Sequence, residues 1–351
     1  MSSLLEARET FHAIAEAWAR GKKATLALLV SVRGSAYRRP GAKMMMAEDN
    51  RMHGTLSGGC LEGDLYQWAE LAMADGENRI QSYDLTENDM WGLGIGCKGA
   101  VDILLTPVSP EDGFWRETFA RAEGLAPFAL ALELPQGRRT GLDGAGHTWG
   151  DPPAPALREA MAEALKSGTR AAVRAIEGSQ WVIDPLLPPD PLVVAGAGHD
   201  AIPVVARATE VGFAVTVLDP RAAFNGPSRF PQPGVEFLVA EPDAVPPDRL
   251  LHRWWVIMNH NQARDEAALR LALASRPRWI GVLGPLSRTR EMLTNIGHAF
   301  QDGPIVAPVG LDLGAETPEE VAVSIVAQLM AERSGRSATP LAGRERIHGT
   351  S

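Results

Sequence analysis

Apolar residues recur along residues 2–20 at the three-to-four spacing of an amphipathic helix, and residues 24–32 form an almost unbroken apolar run of strand length. A basic loop, 33–43, separates this strand from a second at 44–47, and Glu48-Asp49-Asn50-Arg51 has the composition of a hairpin turn. Helical spacing returns at 61–74, followed by strand patterns at 79–85 and 101–106, a helix within 107–124 and a strand at 127–134. Residues 137–155 are rich in Gly, Pro and Asp and read as a surface loop or linker. A helix at 156–166 and a hairpin over 171–183 lead to Pro185-Leu-Leu-Pro188-Pro189-Asp-Pro191, whose four prolines in seven residues predict a stiff connector.

Beyond the connector, short and mostly apolar strand patterns at 192–195, 213–218, 235–239, 254–258, 279–283 and 305–307 alternate with helix patterns at 202–211, 265–274, 286–296 and 317–332. Such alternation predicts parallel strands joined by right-handed crossovers. The last helix is announced by Thr317 as N-cap, Pro318 as first helical residue and Glu320 as capping-box partner. The predicted fold class is α/β. An N-terminal mixed α/β domain covers 1–185, with 125–185 as a subregion that can pack on either half. A C-terminal Rossmann-like parallel-sheet domain covers 186–333, and 334–351 form a polar, flexible tail.

Composition narrows the function classes. A chain of 351 residues with 45% hydrophobic content can bury the cores of two domains. A net charge of -9 argues against generic nucleic-acid binding, though not against a local basic pocket. Glu6, Arg8, Glu9 and Glu16 mark residues 2–20 as neither a signal peptide nor a membrane span, so a cytoplasmic location without a membrane partner is expected. The two cysteines, Cys60 and Cys97, form no C-x-x-C pair and no zinc spacing. They are expected as free thiols, with no dedicated metal site.

The residues that carry chemistry fall in two groups. Leu192-Val-Val-Ala-Gly196-Ala-Gly198-His199-Asp200-Ala201 reads as strand, turn and helix start. Gly196 permits the turn, Gly198 allows a phosphate near the backbone, and Ala201 allows close packing, as in a site for NAD(P) or another nucleotide. Asp219 ends the next strand, placed to accept hydrogen bonds from a ribose, and Arg221 beside it complicates discrimination against a 2′-phosphate. His260 ends a later strand, where ligands bind in open parallel sheets, and is a candidate acid or base or else a surface histidine. Arg288 and Arg290 follow a further strand to the same edge, and Asp312 is either structural or ligand-facing.

In the first half, Ser57-Gly58-Gly59-Cys60 enters a helix, forming either a backbone nest for an oxyanion beside a stabilised thiolate or a plain turn with a small buried cysteine. Gly94-Ile95-Gly96-Cys97-Lys98-Gly99 offers a second thiolate that can bind a soft metal centre, carry sulfur or act as nucleophile; a structural loop is the alternative. Arg33, Arg38, Arg39 and Lys43 make either a phosphate clamp or a solvated face.

Assembled, these motifs resemble the XdhC/CoxI family, accessory proteins of molybdenum hydroxylases such as xanthine dehydrogenase and carbon monoxide dehydrogenase. The resemblance spans nearly the whole chain. It rests on Gly34-Ser-Ala-Tyr-Arg-Arg-Pro-Gly-Ala-Lys43, Leu56-Ser-Gly-Gly-Cys-Leu-Glu-Gly-Asp64 and Trp91-Gly-Leu-Gly-Ile-Gly-Cys97 in the first half. In the second it rests on Gly196-Ala-Gly-His199, Arg288 and Ala307-Pro-Val-Gly-Leu-Asp-Leu-Gly-Ala-Glu-Thr-Pro-Glu-Glu320.

The resemblance implies a chaperone rather than a turnover enzyme. It would bind the molybdenum cofactor, a phosphate-bearing pterin dithiolene, assist its sulfuration and pass it to a hydroxylase client, with a cysteine desulfurase as further partner and a homodimer as assembly. Under that implication Cys97 or Cys60 ligates or sulfurates the metal centre, Ser57, Gly58 and Gly59 hold an anion, and Arg38, Arg39 and Lys43 neutralise phosphate. Gly196, Gly198, His199, Asp219, His260 and Arg288 grip the cofactor or a separate nucleotide. The chain departs from the family's frequent Cys-Gly-Gly at Cys97-Lys98-Gly99, and from its frequent Thr-His-Asp at Asn259-His260-Asn261. On residues alone, an NAD(P)-dependent oxidoreductase and a nucleotide-sensing module remain open, because fold does not choose among them.

Overall fold

The computed structural model describes residues 3–84, 99–135 and 137–343. The chain divides into two units, built from residues 2–188 and 189–340. In the first, helix α1 (Ser3–Ala19) is followed by strands β1 (Ala24–Gly34), β2 (Lys43–Ala47) and β3 (Met52–Gly54), helix α2 (Glu62–Asp75), and strands β4 (Arg79–Asp84) and β5 (Gly99–Val108). These strands form an antiparallel sheet in the order β3-β2-β1-β5-β4. Helix α3 (Gly113–Glu123) leads to a second antiparallel sheet, in the order β8-β7-β6-β10-β9. Its strands are β6 (Phe128–Leu134), β7 (Arg139–Asp143), β8 (Thr148–Gly150), β9 (Ala172–Ile176) and β10 (Ser179–Leu186), with helix α4 (Pro155–Ser167) between β8 and β9.

Helix α1 buries the stripe its spacing predicts, Leu4, Ala7, Phe11 and Ile14, in a core that also takes Leu26 and Leu104 from one sheet and Leu130 and Val182 from the other. Both sheets therefore share one core, and the 125–185 region packs with the N-terminal half. Helix α2 covers the first sheet with Leu65, Ala69 and Met73, and α4 covers the second with Leu157 and Met161.

Two local expectations change. Residues 137–155 are not a linker, because β7 and β8 form a hairpin that completes the second sheet. Its loop-like composition has structural uses: Asp143 closes the turn by accepting from the N–H groups of Ala145 and His147, both at 2.9 Å. Gly141 lets the Trp149 ring lie across the strand, where a Cβ would come within 2.1 Å of it. The proline connector is shorter than expected, since Pro185 lies inside β10 and Pro191 inside the next strand. Strand β3 carries no apolar signal because all three of its residues are exposed at the sheet edge.

Lys43 and Asp184 tie β2 of the first sheet to β10 of the second. The lysine is 1% exposed, its Nζ 2.6 Å from Asp184 Oδ2 and 2.9 Å from the Gly41 carbonyl oxygen.

The second unit comprises β11 (Asp190–Ala195), α5 (Ala201–Glu210), β12 (Phe213–Leu218), β13 (Glu236–Leu238), β14 (Trp254–Ile257), α6 (Gln262–Ala274), β15 (Trp279–Val282), α7 (Leu286–Asn295), β16 (Ile305–Val306) and α8 (Pro318–Ser334). All six strands are parallel, in the order β13-β12-β11-β14-β15-β16. The order reverses between β11 and β14, as it does at the switch point of a Rossmann sheet. Helices α5 and α8 bury Val204, Ala208, Ile325 and Leu329 on one face, while α6 and α7 bury Leu269, Ala272, Met292 and Leu293 on the other. Coverage of both faces explains why these strands are nearly all apolar. The α8 capping box forms as its sequence predicts, between Thr317 and Glu320. Among the described residues no helix is long and apolar enough to cross a membrane.

The Lys43–Asp184 pair yields a prediction. Lys43→Ala strands a buried carboxylate and is expected to cost about 3–5 kcal/mol. Lys43→Met combined with Asp184→Leu is expected to recover most of that loss, because a packed apolar pair needs no compensating charge. Urea denaturation of the two variants and the wild type checks both outcomes.

Candidate functional site

The second unit places its candidate residues around the switch point. Gly196 leaves β11 at φ 119°, and a Cβ there would lie 2.6 Å from the Met258 carbonyl oxygen at the end of β14, so only glycine permits this approach. Gly198 leaves room for Asp200, since a Cβ would lie 2.5 Å from Asp200 Oδ1. Asp200 Oδ2 is 2.6 Å from Nε2 of His260, which follows β14 at φ 55°. His199 is exposed beside this pair.

Two buried carboxylates support the rim. Asp265 Oδ1 accepts from the backbone N–H and the side-chain amide of Asn259, both at 3.0 Å, and its Oδ2 is 2.6 Å from Arg288 Nη2. Arg288 therefore underpins the His260 loop. The departure at Asn259-His260-Asn261 gains a structural account, as Asn259 donates to Asp265 and Asn261 caps α6 by accepting from Arg264 N–H. Asp219 is fully buried, with Oδ2 accepting from Ala197 N–H at 2.8 Å and both oxygens taking the Arg221 guanidinium. Burial pushes the Asp219 carboxyl up, but Arg221 and the backbone donors outweigh it and hold the group below the usual carboxylate range.

In the first unit, the loop before α2 folds around Glu62. Oε1 accepts from Thr55 Oγ1 and from the N–H groups of Leu56 and Ser57, at 3.0, 3.2 and 3.0 Å. Oε2 accepts from the Ser57 hydroxyl and from the N–H groups of Gly59 and Leu61. The nest at Ser57, Gly58 and Gly59 thus holds the chain's own carboxylate. Partial burial raises the Glu62 pKa, and these donors overcompensate and bring it to about 2. Cys60 is exposed on this loop, and the Tyr37 ring lies against Gly58.

The basic loop does not gather at one point. Arg38 bridges Glu6 at 2.5 Å and the Thr55 carbonyl oxygen at 3.1 Å, Arg39 is half-buried, and Lys43 turns inward to Asp184. Cys97 and Lys98 lie outside the described residues. Sequence reading missed Glu62, Asp200 and Asp265 as organising groups. An acid in the first turn after a Gly-Gly loop was the available signal for Glu62, and Asp200 was visible as an acid inside the glycine loop.

A six-stranded parallel sheet in this order, with a glycine loop at the switch point, defines a Rossmann-type unit. The family model described as the XdhC Rossmann domain matches residues 192–329, and that of the XdhC and CoxI family matches residues 17–84. The chain is 28% identical over 334 residues to a Bacillus subtilis protein named as a probable xanthine dehydrogenase subunit, covering 92% of this chain and 97% of that one. A crystal structure described as a xanthine dehydrogenase from Bacillus halodurans is 30% identical with a TM-score of 0.79, covering 97% of this chain and 99% of that one. The molybdenum cofactor insertion chaperone PaoD of Escherichia coli is 37% identical over 91 residues, 26% of this chain and 28% of that protein. The chain belongs to the XdhC and CoxI family.

Glu62 makes stability depend on pH in a definite direction. Its folded pKa is depressed from 4.5 to about 2, so its contribution is complete above pH 4.5 and is lost as pH falls towards 2. Glu62→Gln is expected to remove that component of acid sensitivity and to cost about 1 kcal/mol at neutral pH, the hydrogen bonds being discounted for solvent. Denaturation midpoints measured from pH 7 to pH 2 for both proteins check this.

Proposed function

We propose that this chain is a maturation chaperone for a xanthine dehydrogenase-type molybdenum hydroxylase. It binds the molybdenum cofactor as cargo in the cytoplasm, assists its sulfuration and hands it to the client. One observation carries the reading: in a chain of this family, Cys60 stands exposed on a loop whose backbone is held by Glu62. A thiolate is a soft ligand suited to a dithiolene-held metal. It would add a single protein bond to a centre that brings its other ligands with it, which suits cargo that must be released.

The relative PaoD, named as a molybdenum cofactor insertion chaperone, supports the same cargo. Glu62 occupies the donors of the Ser57 nest, so the cargo's phosphate is met elsewhere. Cys97 is the second candidate ligand or sulfur carrier, a cysteine desulfurase is the sulfur donor, and a homodimer is the assembly in which we expect the protein to act.

The test is cofactor content in wild type, Cys60→Ala, Cys97→Ala and the double variant, each co-expressed with cofactor synthesis and assayed by metal analysis and pterin fluorescence. Near-stoichiometric cofactor in wild type is expected to fall at least about tenfold in one single variant, equivalent to some 1.4 kcal/mol of binding. Wild type without cofactor would remove the cargo reading. Full occupancy in the double variant would remove the thiolate role.

A further inference from the structure

The charge layout of the second unit's crevice is the reverse of a dinucleotide site. In such a site a pyrophosphate meets bare backbone at the helix N-terminus, and an acid at the end of the second strand accepts ribose hydroxyls. Here a carboxylate, Asp200, lies on the glycine loop and pairs with His260. The acid at the end of β12, Asp219, is buried, with both oxygens taken by Arg221 and Ala197 N–H.

The end of β12 presents cations instead. The Arg221 guanidinium lies 4.4 Å from the centre of the Phe224 ring, and that of Arg229 lies 4.8 Å from the same centre. Arg229 Nη2 reaches the Ala197 carbonyl oxygen of the glycine loop at 3.4 Å. Among the described residues Arg229 forms no ion pair, and its buried Nε has no hydrogen-bond partner. Arg221 is matched by Asp219, and the charge on Arg229 is left over.

We propose that the segment 221–229 is a subsite for a phosphate monoester, with Arg229 contacting the phosphate and Arg221 and Phe224 positioning it. A guanidinium fork matches phosphate oxygens, and the ring beneath keeps the cation in plane. Asp200 Oδ1 fills the space over Gly198 in which a pyrophosphate would approach the backbone, so the ligand is a monoester rather than a dinucleotide held in the usual manner. Two sources share this chemistry: a nucleoside monophosphate and a phosphorylated pterin.

The experiment is calorimetric and fluorescence titration of the full chain, as wild type, Arg229→Gln and Arg229→Lys. The probes are 2′-AMP against adenosine, and an oxidised pterin phosphate against its phosphatase product, with NAD+ as control. In at least one pair the phosphorylated member is expected to bind about 10- to 100-fold tighter, the range of a charge-assisted hydrogen bond. It should also bind tighter than NAD+. The preference should vanish in Arg229→Gln and partly return in Arg229→Lys, with unchanged circular dichroism. The pair that shows it identifies the source. Equal affinity within both pairs, no binding of any probe, or a preference that survives Arg229→Gln overturns the subsite.

The subsite does not rest on the cargo reading. A nucleotide preference in protein that never acquires cofactor keeps the subsite and removes the cargo, and cofactor-loaded protein without a phosphate preference does the reverse.

Discussion

A carboxylate withdrawn from water costs several kcal/mol unless charge-assisted hydrogen bonds replace the solvent, and Asp219 meets that demand with Ala197 N–H and the fork of Arg221. This arrangement ties the glycine loop after β11 to the end of β12 and sets Arg221 over Phe224. Asn225 completes the attachment, its side-chain amide donating to the carbonyl oxygens of Val217, Asp219 and Leu238. The rim of the parallel sheet at β11 and β12 is shaped by how one buried charge is satisfied. The neighbouring rim obeys the same rule, with Asp265 held between Asn259 and Arg288 beneath His260.

In the N-terminal unit the same constraint acts on two other acids with different consequences. Asp184 is compensated by Lys43 from another sheet, so the pair fastens two sheets that also share an apolar core. Glu62 is compensated by the hydroxyls and backbone N–H groups of its own loop, so it shapes that loop. That loop carries Cys60, which is exposed. Exposed pairs such as Arg207–Glu210 have no comparable organising role, because solvent screens them.

Among the described residues the first unit presents an exposed thiol at Cys60, and the second a guanidinium without an ion pair at Arg229. Of the usual handholds for a dinucleotide, the acid at the end of β12 is taken by Arg221, and the space over Gly198 is taken by the Asp200 carboxylate.

The amino-acid sequence by itself determined the parallel sheet, because strands covered on both faces must be apolar at nearly every position. It also determined α1 through its stripe, α8 through its capping box and the turn at Gly196. These features are local, set by the spacing of residues close in the chain. Tertiary structure alone decided the β7–β8 hairpin, whose Gly and Asp serve a turn and a ring contact rather than a linker. It alone decided the partners of the charged residues as well. Lys43 looks like a member of a basic loop until Asp184, far along the chain, is folded against it, and Asp219 looks like a ribose acceptor until the Ala197 N–H of the glycine loop donates to it. Hydrophobic periodicity records which positions leave water, but which charge answers which depends on contacts between distant segments, and these exist only in the folded chain.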